Sequence, residues 1–297
     1  MSNPYAQHNE QNKANFDHVY DRPDPRGYFE TLGSLDYLAP EHGRRLFPTL
    51  LQGVSAGGGP SGVLDLCCSY GVNAALLRHD LTLDDLYARY ALPELADLST
   101  EDLLDADRTF YAECRHPSPP EVVGADSAAN AVRYALRAGL LEAGFGEDLE
   151  KTEPSEAFRG SVGNTGLLTV TGGVGYVWER TFDRVLKAVA RARPDGRAPW
   201  VATLPARLVG YGPLSELFSR YGLVTERLSS RTFPQRRFAD ATEREHVLRQ
   251  LADMDVDPSG KEEEGWYHAA LYLSRPAVEA SKVPVDELFG TTGALDY

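Results

Sequence analysis

The feature that most constrains the fold is a strand of the buried type, followed at once by a tight turn and a helix. Val63, Leu64 and Leu66 form a short apolar run, typical of a strand covered on both faces. Small residues then lead to Gly71, after which apolar side chains recur at helical spacing. A helix that begins there directs free backbone N–H groups above the strand, where an open α/β sheet binds its ligand. The alternative is an ordinary strand-to-helix junction.

Further apolar runs alternate with helical patterns along the rest of the chain. The other strand candidates are residues 121–126, 167–170, 200–204, 226–238 and 266–273. This alternation predicts a parallel sheet with helices on both faces. No helical crossover of the earlier type joins the last two candidates, so we expect an antiparallel pair at one edge of the sheet.

Three segments lie outside this alternation. We predict an N-terminal helical segment at residues 1–54, whose aromatic residues pack over the site as a lid. The sheet domain follows at residues 55–275. Leucine and tyrosine at helical spacing predict a two-helix insertion at about residues 80–114. Residues 276–297 are predicted to form an exposed C-terminal tail.

Composition excludes several classes of function. The 297 residues carry 30 basic and 44 acidic side chains, and this net charge of −14 argues against nucleic acid or an anionic membrane as the main partner. Arg231, Arg236 and Arg237 form a local basic group that we interpret as a solvated face. The three cysteines have neither disulfide-framework nor zinc spacing, so no metal is expected. No apolar leader or membrane-length stretch is present in the sequence, which predicts a soluble cytoplasmic protein.

A carboxylate ends the second strand candidate. Asp126 follows Val122 and Val123 after a short apolar run. A carboxylate at this place offers two acceptor oxygens, which can bind both hydroxyls of a ribose. The alternative is a plain helix N-cap, and Ser127 is a candidate for that role as well.

Taken in order, these segments resemble the class I S-adenosylmethionine-dependent methyltransferases over roughly residues 63–273. Residues 63–71 resemble the family's first motif, an acid followed by a glycine-rich turn, and residues 123–126 resemble its ribose-binding acid. Residues 167–203 resemble its fourth strand, the helix after it and the fifth strand. The resemblance implies a Rossmann-like α/β fold whose sheet is mostly parallel with an antiparallel edge strand, plus N-terminal helices and a helical insertion.

Two departures from the family pattern concern the site. The family's turn usually reads Gly-x-Gly-x-Gly, whereas this chain has Cys67, Ser69 and Gly71 at those positions. Glycine is needed where φ is positive or where the backbone touches a ligand. The spacing from Asp65 to Asp126 is also longer than usual, and the predicted insertion accounts for it.

The resemblance implies S-adenosylmethionine as cofactor and assigns roles by position. Asp65 would hold the methionine amino group, directly or through water, and the backbone of the turn would approach the cofactor. Asp126 would bind the ribose with Ser127 nearby, and Thr171 and Gly172 would lie near the methionine end and the substrate. The implied cofactor-binding residues are Asp65, Cys67, Ser69, Gly71, Asp126, Ser127, Thr171 and Gly172.

Methyl transfer needs an aligned nucleophile more than it needs a base. The candidate bases are His18, His79 and His268, and His18 is preferred because aromatic residues surround it in the predicted lid. Tyr20 and Tyr28, with Tyr37, would then line the substrate pocket. For all of these residues the alternative is an ordinary packing role.

These observations predict a methyltransferase that acts on a small molecule, in the biosynthesis of specialised metabolites. The altered turn motivates an alternative, in which the fold has lost methyl transfer and serves as a cyclase, a lyase or a binding subunit. A nicotinamide-dependent oxidoreductase is disfavoured by the final strand candidate. The expected partners are a small-molecule substrate and, through the insertion, a second copy or another chain.

Overall fold

The computed structural model describes residues 17–290, without the side chains of Asp17 and His18. The strands are Gly62–Leu66 (β1), Val122–Asp126 (β2), Ala143–Gly146 (β3), Thr165–Thr171 (β4), Trp200–Leu204 (β5), Leu223–Arg227 (β6), Phe233–Arg237 (β7), Trp266–Ala269 (β8) and Tyr272–Pro276 (β9). The helices are Asp17–Tyr20 (α1), Arg26–Gly33 (α2), Ala39–Ala56 (α3), Val72–Arg78 (α4), Leu83–Tyr90 (α5), Pro93–Ala96 (α6), Thr100–Glu113 (α7), Ala129–Arg137 (α8), Glu156–Ser161 (α9), Glu179–Ala192 (α10), Gly212–Ser219 (α11), Ala241–Asp253 (α12), Ala277–Lys282 (α13) and Val285–Leu288 (α14). A 3₁₀ turn spans Glu262–Glu264.

Seven strands form the central sheet in the order β3-β2-β1-β4-β5-β9-β6. The pairs from β3 to β5 are parallel, and β9 runs antiparallel to both of its neighbours. The predicted mostly parallel sheet is therefore confirmed. Its antiparallel strand lies second from the edge, because β6 pairs along its whole length outside β9. Only Leu223 of β6 is buried, and the strand ends in the charged pair Glu226 and Arg227, which suits an edge position.

The single final strand predicted at residues 266–273 is two strands in the structure. Strand β8 pairs with β7 in a separate two-stranded sheet, and β9 enters the main sheet. The chain crosses between them at Ala270, whose N–H donates to the carbonyl of Pro205, and at Leu271, whose carbonyl accepts from Leu228. The sequence does not show this crossing, because Ala270 and Leu271 are buried apolar residues that continue the pattern of the strands on either side.

The hydrophobic core lies on both faces of the central sheet. Val63 of β1 packs in one cluster with helices α3, α4 and α8, while Leu64 and Leu66 pack in the other with α10 and α11. Every residue of β1, β4 and β5 is buried. The apolar runs that predicted these strands therefore report burial on both faces.

The helical insertion contains three helices, α5, α6 and α7, rather than two. Capping side chains begin the two longer ones, Thr82 for α5 and Ser99 for α7. The insertion packs on α2, where Phe29 stacks on Tyr90 with ring centroids 4.3 Å apart. Asp107 of α7 is fully buried and accepts hydrogen bonds from several neighbours.

The segment after β9 is not an exposed tail as far as residue 290. Helices α13 and α14 pack against the sheet, and Ala280 and Val285 are buried. Glu279 accepts a hydrogen bond from the indole N–H of Trp200, and Asp286 accepts from Ser229. Glu279 and Asp286 do not follow a helical or strand period in the sequence, so the sequence pattern does not predict these hydrogen bonds. Residues 291–297 lie outside the described part.

Candidate functional site

The turn between β1 and α4 has the backbone of a glycine turn, although only the last of the three positions is a glycine. Cys67, Ser69 and Gly71 all have positive φ, at 58°, 49° and 73°. These are the three positions at which the family pattern has glycine. The left-handed region costs a non-glycine residue about 1–2 kcal/mol. Cysteine and serine are small, and the turn keeps its shape at this cost.

A hydrogen bond joins this turn to the end of β2. The N–H of Ser69 donates to Oδ2 of Asp126 at 2.9 Å, and the N–H of Ala128 donates to Oδ1 at 3.0 Å. Burial raises the pKa of Asp126, while these N–H donors oppose the rise. The cap predicted at Ser127 is wrong: α8 begins after Ala128, with no side-chain cap, because Asp126 already takes the free N–H.

Asp65 lies beneath the turn rather than in it. Its side chain is fully buried and accepts hydrogen bonds from Nδ2 of Asn73 at 3.0 Å and from Oγ1 of Thr169 at 2.7 Å. Burial outweighs these bonds and raises the pKa of Asp65 to about 7. Asn73 also donates to Oγ1 of Thr171 at 2.8 Å, so its amide connects Asp65 to the end of β4.

One cavity of about 600 Å³ lies above the carboxyl ends of four neighbouring strands. Following the order of the sheet, its floor is formed by residues 147–151 after β3, by 125–128 at the end of β2, by 66–69 after β1, and by 171–173 after β4. This size is typical of a site for a small ligand. The cavity lies where the sequence predicts ligand binding in an open α/β sheet.

The N-terminal segment covers part of the cavity. Tyr20, Asp21, Tyr28 and Tyr37 line it. Asp21 accepts a hydrogen bond from the backbone N–H of Asn130 at 2.7 Å, at the beginning of α8. The hydroxyl of Tyr70 donates to backbone carbonyls of the same N-terminal segment. The aromatic residues predicted to wall the substrate pocket are thus at the cavity.

Most of the predicted site residues come together at this cavity. Those that line it are Tyr20, Tyr28, Cys67, Ser69, Asp126, Ser127, Thr171 and Gly172. Gly71 is the N-cap of α4 at the edge of the turn, and it does not line the cavity. Asp65 does not line the cavity either. Asn73, which is hydrogen-bonded to Asp65, lines the cavity in its place.

None of the three histidines predicted as candidate bases has a described side chain at the cavity. His18 lies in α1, and its side chain is outside the described part, so its role as a base stays a prediction. His79 and His268 do not line the cavity. His79 bonds the carbonyl of Ala75 through Nδ1, His268 bonds Thr232, and burial lowers the pKa of each to about 4. Both are packing histidines.

Sequence reasoning missed Asn73, Gln235, Arg236 and the loop after β3. Gln235 and Arg236 belong to β7, which hydrogen-bonds to the α2–α3 connection: the N–H of Leu38 donates to the carbonyl of Gln235 at 2.7 Å. Arg236 is no solvated residue, since its guanidinium is buried and forms two hydrogen bonds with Glu243, at 2.9 and 2.6 Å. No local sequence pattern predicts the contact between β7 and the α2–α3 connection, because the two segments are far apart in the chain.

Acidic side chains outnumber basic ones around the cavity. The lining acids are Asp21, Asp126, Glu147, Asp148 and Glu150, and the lining bases are Lys151 and Arg236. Lys151 is paired with Asp148 at 2.8 Å, and Arg236 with Glu243. This charge balance favours a ligand that carries positive charge.

Two classes of feature are absent from residues 17–290. No helix there is both long and apolar enough to cross a membrane. No cluster of three or more His, Cys, Asp or Glu side chains within the same range is placed to hold a metal ion.

No family model matches the chain, and no curated protein matches it. Among solved structures it is similar to the plantazolicin methyltransferase BpumL in complex with SAH, at 10% identity and a TM-score of 0.40, over 87% of this chain and 92% of that one. It is similar to the magnesium protoporphyrin IX methyltransferase ChlM from Synechocystis PCC 6803 with bound SAM, at 10% identity and a TM-score of 0.37, over 93% and 98%. A TehB-like SAM-dependent methyltransferase from Corynebacterium glutamicum ATCC 13032 Kitasato matches at 15% identity and a TM-score of 0.34, over 75% and 86%.

The chain's own architecture agrees with the resemblance in its sequence. Its seven-stranded sheet is parallel except for β9, and its cavity lies at the turn after β1 and the acid that ends β2. The protein has a Rossmann-like α/β fold with a mostly parallel seven-stranded sheet.

Proposed function

We propose that this chain is an S-adenosylmethionine-dependent methyltransferase that acts on a small molecule of biosynthetic metabolism. The observation that carries the proposal is the turn after β1. It has positive φ at all three positions of the glycine motif and is bonded to Asp126. The missing glycines motivate the alternative of a fold that has lost methyl transfer, and the positive φ values at Cys67 and Ser69 favour the cofactor-binding turn instead.

The order of strands suggests how the cofactor lies. Asp126 ends β2, and each of its carboxylate oxygens accepts one backbone N–H, which leaves a second lone pair on each oxygen for a ribose hydroxyl. Residues 147–151 after β3 would then hold the adenine, and the turn after β1 with Thr171 would hold the methionine.

Two residues near the turn, Ser69 and Asn73, line the cavity. Oγ of Ser69 and Oδ1 of Asn73 are themselves buried and make no hydrogen bond within the described residues. Asp65 accepts a hydrogen bond from the amide of Asn73 and orients it, a supporting role in place of the contact, direct or through water, that the resemblance implies.

The charge of the cavity suits this cofactor. A sulfonium is a cation, and the lining acids exceed the lining bases. When bound, S-adenosylmethionine supplies an activated methyl group. The chain's own part is to align the acceptor with that methyl and to exclude water. The N-terminal tyrosines line the cavity, where they would help to exclude water, and a cavity of about 600 Å³ is typical of a site for a small molecule.

A transfer assay tests the proposal. The full-length protein is incubated with S-adenosylmethionine carrying a labelled methyl group and with fractions of a small-molecule extract. We expect S-adenosylhomocysteine to form, together with a labelled product one methylene heavier than a component of the fraction. Formation of S-adenosylhomocysteine no faster than in the protein-free control, with every fraction, contradicts the proposal.

A further inference from the structure

Four polar side chains at one end of the cavity have no partner among the described residues. They are the hydroxyls of Tyr20, Tyr28 and Tyr37 and the carboxamide of Gln235, and all four residues line the cavity. Tyr28 and Gln235 are each only 3% exposed. The polar atoms of these side chains are not among the fully buried unsatisfied atoms of the described residues, so they are open to the cavity. They can therefore donate to or accept from a ligand that enters it.

The cluster lies over the end of β4. Gly172 has a φ of 73°, and a Cβ atom built there would lie 2.9 Å from the hydroxyl oxygen of Tyr37 and 3.1 Å from Nε2 of Gln235. Tyr20 and Tyr28 meet edge to face, with ring centroids 5.7 Å apart. Asp126 and residues 147–151 lie at the other end of the floor. The cluster is thus at the end where the proposed function puts the methyl acceptor, and we call these four residues the acceptor wall.

The acceptor wall carries no net charge. Burial raises the pKa of Tyr20, Tyr28 and Tyr37, so their hydroxyls remain protonated. The nearest cation, Arg236, is paired with Glu243 through two hydrogen bonds and stacks on Tyr267 at 4.5 Å. A carboxylate here would lose its water without gaining a counter-ion. A cationic acceptor would be repelled by the positive charge of the sulfonium.

We infer that the acceptor is an uncharged molecule with hydrogen-bonding groups beside the methylated atom, and that Tyr37 and Gln235 determine this specificity. The inference rests on the proposed function. In the transfer, the bond from sulfur to the methyl carbon breaks with its electron pair on sulfur. A lone pair of the acceptor forms the new bond, and the acceptor's proton passes to solvent.

Three flat probes of equal size test the charge preference. Benzamide is neutral, benzoate is an anion and benzamidine is a cation. Their dissociation constants are measured by ligand-observed NMR on the full-length protein, with and without saturating S-adenosylhomocysteine. We expect benzamide to bind about tenfold or more tightly than either charged probe, because a charge left unpaired in this wall costs more than a neutral amide does.

Variants assign the specificity to residues. Tyr37→Phe and Gln235→Leu are each expected to weaken benzamide about fivefold, since each removes one hydrogen bond. Tyr221→Phe, whose hydroxyl bonds Asp183 away from the cavity, and Gln52→Leu, on the exposed face of α3, are the matched controls and should change nothing. Tighter binding of benzoate or benzamidine, or unchanged benzamide binding in both variants, overturns the inference.

The same samples separate this inference from the proposed function. S-adenosylhomocysteine is titrated into each variant by calorimetry. Unchanged affinity for it in Tyr37→Phe and Gln235→Leu, with weakened benzamide, supports an acceptor role. Absence of S-adenosylhomocysteine binding by the unmodified protein contradicts the proposed function, while the probe titrations without it still decide the charge preference.

Discussion

The backbone N–H of Ser69 donates a hydrogen bond to the carboxylate of Asp126 at 2.9 Å. Ser69 achieves this with a φ of 49°, in the left-handed region. The bond joins the turn after β1 to the end of β2, so the two motifs that the sequence separates by the helical insertion form one rigid edge of the cavity. A strained residue at such a junction marks the turn as a candidate functional element.

Replacing Ser69 with glycine tests that strain. The left-handed region costs serine about 1–2 kcal/mol. Glycine avoids this steric cost, but it loses about 0.5–1 kcal/mol more conformational entropy on folding. We therefore expect Ser69→Gly to raise the free energy of unfolding, measured with urea, by up to about 1 kcal/mol. Ser127→Gly is the control, because Ser127 is not at positive φ, and it should lower that free energy. Equal losses in both variants would show that the turn is unstrained.

Gly172 and Gly139 form a second matched pair. Both have positive φ, at 73° and 79°, but a Cβ atom at Gly172 would meet Tyr37, whereas one at Gly139 meets nothing within 4 Å. We expect Gly139→Ala to cost about 1 kcal/mol of stability. Gly172→Ala should cost about 1–3 kcal/mol more through overpacking. Thermal and urea unfolding of both variants measure the difference, and equal costs would show that the acceptor wall does not touch Gly172.

Asp65 makes stability depend on pH. Burial raises its pKa from 3.8 to about 7, so between these values the folded protein binds more protons than the unfolded chain. Its contribution to the free energy of unfolding is therefore fully present below pH 4 and falls as pH rises toward 7. Asp65→Asn removes this titration. The melting temperature of the variant minus that of the unmodified protein should increase from pH 4.5 to pH 7.5. A difference that stays constant with pH would contradict the raised pKa.

The buried pair between Arg236 and Glu243 should behave as a unit. Their side chains are 3% and 4% exposed, and Glu243 also accepts a hydrogen bond from Tyr267. Glu243→Leu alone leaves a buried guanidinium unpaired, which costs about 3–5 kcal/mol. Replacing both, as Arg236→Met with Glu243→Leu, removes that unpaired charge and should recover much of the loss. Urea unfolding measures both, and a double variant less stable than the single one would contradict the pairing.

The sequence reports the central sheet well because burial on both faces leaves continuous apolar runs. Asp126 and Gly71 can be predicted for a similar reason. Asp126 ends the apolar run of β2, and Gly71 directly precedes the helical pattern of α4. The insertion and the end of the chain were less predictable. Short helices such as α6 and α13 are too brief to show a period, and their positions depend on anchors such as Glu279 with Trp200.

The acceptor end of the site was the least predictable part. Gln235 lies in a charged stretch, and its place over Gly172 depends on the two-stranded sheet and on its bond to Leu38. Asp65 shows the opposite case. The motif identifies the residue, but only packing shows that Asn73 separates it from the cavity.

The central claim is that the turn after β1 and Asp126 bind S-adenosylmethionine, and calorimetric titration tests it most directly. We expect both S-adenosylmethionine and S-adenosylhomocysteine to bind. Asp126→Ala removes the acceptor of two ribose hydroxyls and should weaken both ligands by about 10–100-fold. The control, Asp105→Ala, changes a carboxylate that is 75% exposed on α7 and should leave both affinities unchanged. Binding of neither ligand at millimolar concentration would contradict the account.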